Sequence, residues 1–171
     1  METAEFWSII QRSNEKAKTK DDQYAVLVDE LSSRSTADIE SFFGFCLKFM
    51  DKAFSWDLWG VAYIVMAHCA DDDFADFRFW LIAQGEKVYY QVLKDPDSLA
   101  EFPAQAIGDF ENPFSSRLME AVEDVYEKKT GELPTPPADR NIPSVPSGEP
   151  FSEDDYEAME ARYPKLYKKY F

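Results

Sequence analysis

Residues 56–69 read WDLWGVAYIVMAHC, and this stretch decides the fold because apolar side chains cover most of the girth of the helix that it predicts. Ser55 stands immediately before the stretch, and a serine side chain at that position can cap the N-terminus of a helix. A helix that is apolar on most sides is normally packed by neighbours on several faces. We therefore expect this helix to lie in the middle of a helical bundle.

Amphipathic helices precede the central one, because apolar residues recur there at intervals of three and four positions. The spacing predicts two helices over residues 6–13 and 24–31. A third follows, capped by Ser35 or Thr36, with an unusually aromatic stripe over residues 39–54. The chain therefore enters the central helix with three helices available to pack against it.

Further helices follow the central one, and their predicted spans are 74–82 with a stop at Gly85, 86–94, and a helix from a cap at Asn112-Pro113 to Gly131. Asp71, Asp72 and Asp73 precede the first of these helices. We expect one of the three to cap a helix that starts near Phe74, and the others to stabilise its positive end.

The C-terminal part of the chain changes character. Residues 132–151 hold six of the ten prolines and no helical period, which predicts an extended segment that either drapes over the helices, the interpretation we favour, or acts as a linker. Residues 152–171 predict a last helix and a tail rich in aromatic and lysine residues, which we expect to dock on the domain. The whole chain, 1–171, is therefore expected to be a single all-α domain, a compact irregular bundle of about seven to eight helices.

The charge of the chain restricts its partners. The formal net charge is −15, and residues 56–111 contain eleven acidic and three basic residues. Such a field repels phosphate backbones and anionic lipid, so we expect no nucleic acid and no membrane as partners. It suits a basic protein partner, although acidity can also serve solubility alone.

The expected location is cytoplasmic and reducing. The N-terminal residues are acidic where a secretory signal would be basic, and no apolar stretch approaches the length of a membrane span. Cys46 and Cys69 lie in apolar patterns without the close spacing of a zinc or redox motif, which predicts buried, reduced thiols.

The sequence lacks the residue spacings that are typical of catalytic motifs. The sequence contains no Gly-rich phosphate loop, no Cys-x-x-Cys pair and no Gly-x-Ser-x-Gly elbow, so no cofactor and no metal is predicted. His68 is the single histidine, and its position near a helix end favours a structural role. His68, Cys69 and Asp71 to Asp73 offer mixed metal ligands, which leaves a divalent-metal site as the weaker alternative.

Arg78 is the most informative charged residue, because it lies on the stripe that should face the core. A buried guanidinium needs partners, so we expect a carboxylate such as Asp57, Asp72 or Asp97 to meet it, with carbonyl groups taking the remaining donors. The cluster around Arg78 can be core scaffold or the wall of a ligand pocket. Its members are Trp56, Asp57, Trp59, Tyr63, Asp71, Asp72, Arg78 and Trp80.

These residues are also part of a longer block that resembles a known protein family. The block consists of Trp56-Asp57-Leu58-Trp59, Ala62-Tyr63-Ile64, Cys69, Asp71-Asp72, Phe74, Phe77-Arg78, Trp80-Leu81-Ile82, Gly85, Val88-Tyr89 and Asp95-Pro96-Asp97-Ser98-Leu99. It resembles the bacterial domain-of-unknown-function family 4240, which the opening Phe6-Trp7 and the closing Tyr163-Pro164-Lys165-Leu166 also suit. The resemblance implies an intracellular bacterial protein, sometimes found beside regulatory or DNA-associated modules, and brings no established reaction, cofactor or catalytic residue.

Two hypotheses for the function follow. The first is a non-catalytic binding or regulatory module whose acidic surface engages a basic protein. The alternative is a small-ligand sensor or enzyme with an Asp, Arg and aromatic pocket that uses a divalent metal. Mimicry of nucleic acid ranks last, because the acidic residues are scattered rather than placed in rows.

Overall fold

The computed structural model describes residues 1–102 and 116–171, and these residues form nine α-helices, one 3-10 helix and no strand. The α-helices are α1 (Thr3–Lys16), α2 (Lys20–Ser32), α3 (Thr36–Lys52), α4 (Trp56–Met66), α5 (Asp71–Ala83), α6 (Glu86–Lys94), α7 (Leu118–Thr130), α8 (Tyr156–Arg162) and α9 (Pro164–Tyr170). The 3-10 helix spans Pro96–Glu101. The predicted all-α fold is confirmed. Helix α9 was not predicted. Pro164 can begin it because the N–H groups of the first helical turn have no partner within the helix.

Side-chain caps define several helix starts. The Ser35 hydroxyl accepts a hydrogen bond from the Asp38 N–H at the start of α3, so Ser35 rather than Thr36 is the cap. Ser55 accepts from the Leu58 N–H at the start of α4. The cap predicted at Asn112-Pro113 lies outside the described residues. The helix that it was to begin is described from Leu118 onward as α7.

The boundary between α4 and α5 differs from the prediction. Helix α4 ends at Met66 because Ala67 adopts a left-handed conformation with φ of 56°, so His68 and Cys69 lie beyond the helix. Helix α5 begins at Asp71, three residues earlier than expected. The Asp73 carboxylate accepts the Ala70 N–H at 2.9 Å from within the first turn, so no aspartate stands in the cap position.

The central position belongs to α5 rather than to α4. Helix α5 packs against α1, α3, α4, α6 and α7, and Phe74, Phe77, Leu81 and Ile82 on it are fully buried. Helix α4 packs mainly against α5, α9 and the 3-10 helix. The wide apolar girth of α4 is explained by the C-terminal part of the chain, which covers the side that faces away from α5.

The extended segment of residues 132–151, called the strap below, joins α7 to α8. Its backbone pairs with the chain at one place, where the Trp56 N–H donates to the Ser147 carbonyl at 2.9 Å and the Ser147 N–H donates to the Phe54 carbonyl at 3.0 Å. Pro134 is its one buried residue. Within residues 1–102 and 116–171, no helix combines the length and the apolar composition needed to cross a bilayer.

Candidate functional site

A column of stacked rings joins α4 to α5. Trp56 stacks on Trp59 with ring centroids 5.3 Å apart, and Trp59 stacks on Phe74 at 4.8 Å. The column continues along α5 from Phe74 to Phe77 at 6.2 Å and from Phe77 to Trp80 at 6.0 Å. Residues three apart on a helix share a face, so the two helices each contribute one side of the column. The structure thereby brings together three predicted site residues, Trp56, Trp59 and Trp80.

Arg78 lies against this column. Its guanidinium carbon is 4.7 Å from the centroid of the Phe74 ring and 4.8 Å from that of Phe54, which places the cation in contact with two neighbouring aromatic rings. The Arg78 Nε donates to the Phe74 carbonyl at 3.2 Å, and an Nη1 donor reaches the Met50 carbonyl at 3.1 Å. Burial lowers the pKa of Arg78, and the negative charge of Asp51 opposes that shift. The charge of Arg78 is therefore stabilised by two aromatic rings, by two carbonyl groups and by the nearby carboxylate of Asp51, which was not among the predicted partners.

The carbonyl partners predicted for Arg78 are present, but the predicted carboxylates were wrong, because Asp57 and Asp97 have other partners and Asp72 is exposed. Asp57 accepts two hydrogen bonds from Arg162, from Nε at 3.0 Å and from Nη2 at 2.6 Å. The buried Asp97 accepts the backbone N–H groups of Lys165 and Leu166 at the start of α9. Asp72 is exposed in the first turn of α5. Both Asp57 and Asp97 thus hold the C-terminal segment in place.

The remaining predicted residues lie apart from Arg78. Tyr63 packs on Phe151 of the strap with ring centroids 5.6 Å apart, and burial raises the pKa of Tyr63. Asp71 is exposed beside Asp72. His68 is also exposed, with its Nε2 4.0 Å from Asp73. No three His, Cys, Asp or Glu side chains within the described ranges are grouped so that they could hold a metal ion.

A surface groove lies elsewhere, between α3 and the strap. It encloses about 530 Å³. Its lining residues are Glu40, Ser41, Gly44, Phe45, Leu47, Lys48 and Asp51 of α3, and Pro137, Asp139, Arg140 and Asn141 of the strap. None of them was among the predicted site residues. The one signal in the sequence is Arg140, which is the single basic residue of the strap.

An ion pair closes one end of this groove. Arg140 donates to both carboxylate oxygens of Asp51, from Nε at 2.8 Å and from Nη2 at 2.7 Å. The bidentate geometry fixes both side chains, which are mostly buried, and the contact with Asp51 raises the pKa of Arg140. Asp51 therefore stands between two arginines, Arg140 of the strap and Arg78 of the core.

The strap exposes large apolar side chains. Leu133, Ile142 and Val145 are 58%, 63% and 70% exposed. Exposed apolar side chains gain nothing from folding, so three of them on one anchored segment are available for burial against a partner. They make the strap a candidate protein interface.

Fold and site together define an all-α domain with an aromatic core closed by an extended segment, bearing an open groove on its surface. The chain belongs to the family described as Protein of unknown function (DUF4240), whose model matches residues 1–128. Neither a curated protein nor a solved structure matches the chain. The strap, α8 and α9 lie beyond the matched residues, and so does the resemblance noted at residues 163–166.

Both cysteine thiols are expected to resist modification in the folded chain. Cys46 and Cys69 are buried and unpaired, and burial raises the pKa of Cys69 to about 12 and raises that of Cys46 as well. Because the thiolate is the reactive form, a thiol reagent such as DTNB at neutral pH should modify neither residue until denaturant is added. A Ser144→Cys variant, with its thiol on the exposed strap, is the control that should react at once. Rapid reaction of the native chain would contradict the buried positions of Cys46 and Cys69.

Proposed function

We propose that this chain is a non-catalytic binding module that holds a protein partner on the face formed by the strap and α3. The observation that carries the proposal is the exposure of Leu133, Ile142 and Val145 on the strap, a segment whose residues 137 and 139–141 line part of a groove of about 530 Å³. Exposed apolar side chains around a concave surface are typical of protein interaction sites. Burial of these three side chains against a partner would supply the apolar centre that such interfaces need.

Anchoring of the strap supports the proposal. The strap is held by the pair of Arg140 with Asp51, by the backbone pairing at Ser147 and by the buried Pro134. A binding surface that is already ordered loses less conformational entropy when a partner binds. The exposed side chains are thus presented on a preorganised segment rather than on a free linker.

The charge of the chain favours a basic partner. The net charge of −15 attracts cations at long range. Part of the acidic stretch 56–111 is already engaged within the chain, because Asp57 pairs with Arg162 and Glu101 pairs with Lys165. The proposed role of the acidic surface is therefore to speed the encounter, while the apolar residues of the strap hold the partner.

A cytoplasmic, bacterial setting is part of the same proposal. The two free, buried cysteines suit a reducing compartment, where disulfides rarely form. The small-ligand or enzyme hypothesis stays a prediction. The geometry gives it less support, because the Arg78 donors bond to internal carbonyl groups and the groove is lined by other residues.

The proposal is tested by capturing a protein partner with the wild-type chain and comparing its binding to two matched variants. The test variant is Leu133→Ser, Ile142→Ser and Val145→Ser combined, and the control variant is Thr135→Ala with Ser144→Ala, which changes exposed polar residues of the same strap. We expect the triple variant to bind the captured partner at least about tenfold more weakly, since each lost apolar contact at an interface costs on the order of 1 kcal/mol. Salt should slow the association of the wild-type chain more than it speeds dissociation.

Two outcomes of this experiment would overturn the proposal. One is capture of the same partner, in equal amount, by the triple variant and by the control variant. The other is an association rate that does not depend on salt, which would remove the proposed role of the acidic charge. Circular dichroism and thermal unfolding of both variants verify that they keep the fold, which is expected because the substituted side chains are exposed.

A further inference from the structure

The strap contains a regular arrangement of prolines that ends in its single arginine. Residues 134–140 read PTPPADR, which places Pro134, Pro137 and Arg140 three positions apart. Proline-rich chains favour an extended helix with three residues per turn, a period that would place Pro134 and Pro137 on one side of the segment. A turn closed by the hydrogen bond from the Arg140 N–H to the Pro137 carbonyl, at 3.0 Å, then brings the arginine back towards α3.

Helix α3 meets this segment with two matching features. Gly44 lacks a side chain where the strap crosses the helix, and a Cβ atom there would lie 3.5 Å from Cγ of Pro137, which is ordinary van der Waals contact. The Pro137 ring, which is exposed, therefore borders α3 at Gly44 and leaves room there for no more than a small side chain. Further along the same helix, Asp51 receives the fork of Arg140 through two hydrogen bonds. Proline-rich ligands dock in grooves lined by aromatic side chains, and Phe45 of α3 lines the groove beside this segment.

The strap fits this surface incompletely. The groove of about 530 Å³ remains open between the strap and α3, and Ile142 and Val145 further along the strap are exposed. A segment held at few points opens at a lower free energy than the core. The receptor residues Gly44 and Asp51 lie inside the family match at 1–128, whereas the strap lies outside it.

We propose that this face of α3 is a docking site for proline-rich segments of the form Pro-x-x-Pro-x-x-Arg in a partner protein, and that the strap is a ligand of this form carried by the chain itself. The inference goes beyond the proposed function and does not rest on it, because it concerns the α3 surface under the strap rather than the exposed side chains on the strap. The basic residue that ends the motif suits the acidic chain. The strap then competes with the partner, so docking in trans requires its displacement.

A peptide of residues 131–148 tests the inference on the full chain. The Arg140→Ala variant weakens the attachment of the strap and leaves Asp51 free, so it should bind the labelled peptide at least about tenfold more tightly than the wild-type chain does. A peptide whose arginine is replaced by alanine should not bind. Fluorescence anisotropy gives both affinities at equilibrium.

A second variant separates docking on α3 from other contacts. Gly44→Leu in the Arg140→Ala background fills the place of the proline ring without touching Asp51 or Arg78, and it should abolish peptide binding. Leucine is a better helix former than glycine, so this variant is expected to fold. Equal affinity of the peptide for the variants with and without Gly44→Leu would overturn the inference, and so would equal affinity for the wild-type chain and Arg140→Ala.

The other occupant of this face is a second copy of the chain, through exchange of straps. Light scattering of the wild-type chain should show a monomer at the concentrations used for the peptide, and a dimer that grows with concentration would overturn the assignment to a partner protein. Because the probe is a defined peptide, failure of this inference leaves intact the capture test on Leu133, Ile142 and Val145. A negative result in that capture test likewise does not change the interpretation of the peptide affinities.

Discussion

The Phe74→Ala variant is expected to unfold with a free energy about 3–5 kcal/mol lower than that of the wild-type chain. Phe74 is fully buried and lies in the middle of the aromatic column, where it stacks on Trp59 and Phe77. It also carries one of the two rings that hold the Arg78 guanidinium. The substitution therefore leaves a cavity and removes a partner of a buried cation, and urea denaturation followed by tryptophan fluorescence and circular dichroism measures the loss.

Two further variants show which part of this loss is due to the ring. Phe74→Leu keeps most of the volume, so it should cost less than half as much as Phe74→Ala, and the remaining cost reports the stacking and cation–π contacts. Phe79→Ala removes a ring of the same size from a half-buried position on the same helix and should cost less than Phe74→Ala. A loss for Phe74→Ala no greater than that for Phe79→Ala would contradict the central role of the column.

Local signals in the sequence predicted much of the fold. The caps at Ser35 and Ser55 and the stop after α7 at Gly131, whose φ is 81°, depend on residues close together in the chain. The end of α4 was missed because Ala67 takes a left-handed conformation that the sequence does not favour in alanine. The existence of the helices thus followed from periodicity, whereas this boundary depends on a backbone conformation that the local sequence does not signal.

The candidate site was predictable only in part, because its contacts are distant in sequence. The periodicity placed Arg78 against the core and implied carbonyl partners, which the structure provides. The carboxylate near it is Asp51, whose own partner Arg140 is 89 residues further along the chain. No spacing rule links such positions, since the path of the strap across α3 decides them. The groove was missed for the same reason.

The position of α4 likewise depends on contacts between residues that are distant in sequence. Its apolar girth correctly indicated packing on several faces, but the chain that covers it comes from the C-terminus. Tyr163 is buried against α4, and its hydroxyl donates to the Asp57 carbonyl at 2.9 Å. Gly60 makes this contact possible, because a Cβ atom there would lie 2.7 Å from Oη and 3.0 Å from Cε2 of Tyr163.

Gly60→Ala is therefore expected to destabilise the chain by about 1–3 kcal/mol, the cost of overpacking a well-filled interior. The expected sign is informative, because alanine in the middle of a helix is otherwise favoured over glycine by up to about 1 kcal/mol. Urea denaturation measures the stability. Limited proteolysis near residues 152–155, which are exposed, reports whether the C-terminal segment has loosened at the same time.

A double-mutant cycle with Tyr163→Ala decides whether the ring is the cause. With the Tyr163 ring removed, the methyl group that Gly60→Ala adds meets no obstacle, so this substitution should become neutral or stabilising in that background. In a Tyr163→Phe background the ring carbon at 3.0 Å remains, and most of the cost should remain with it. If Gly60→Ala destabilised the chain equally with and without the Tyr163 ring, the close approach of α4 and Tyr163 would not be what this glycine serves. A change in the sign of the Gly60→Ala effect on stability when the Tyr163 ring is removed would show that the helical core depends on the segment that lies beyond the family match.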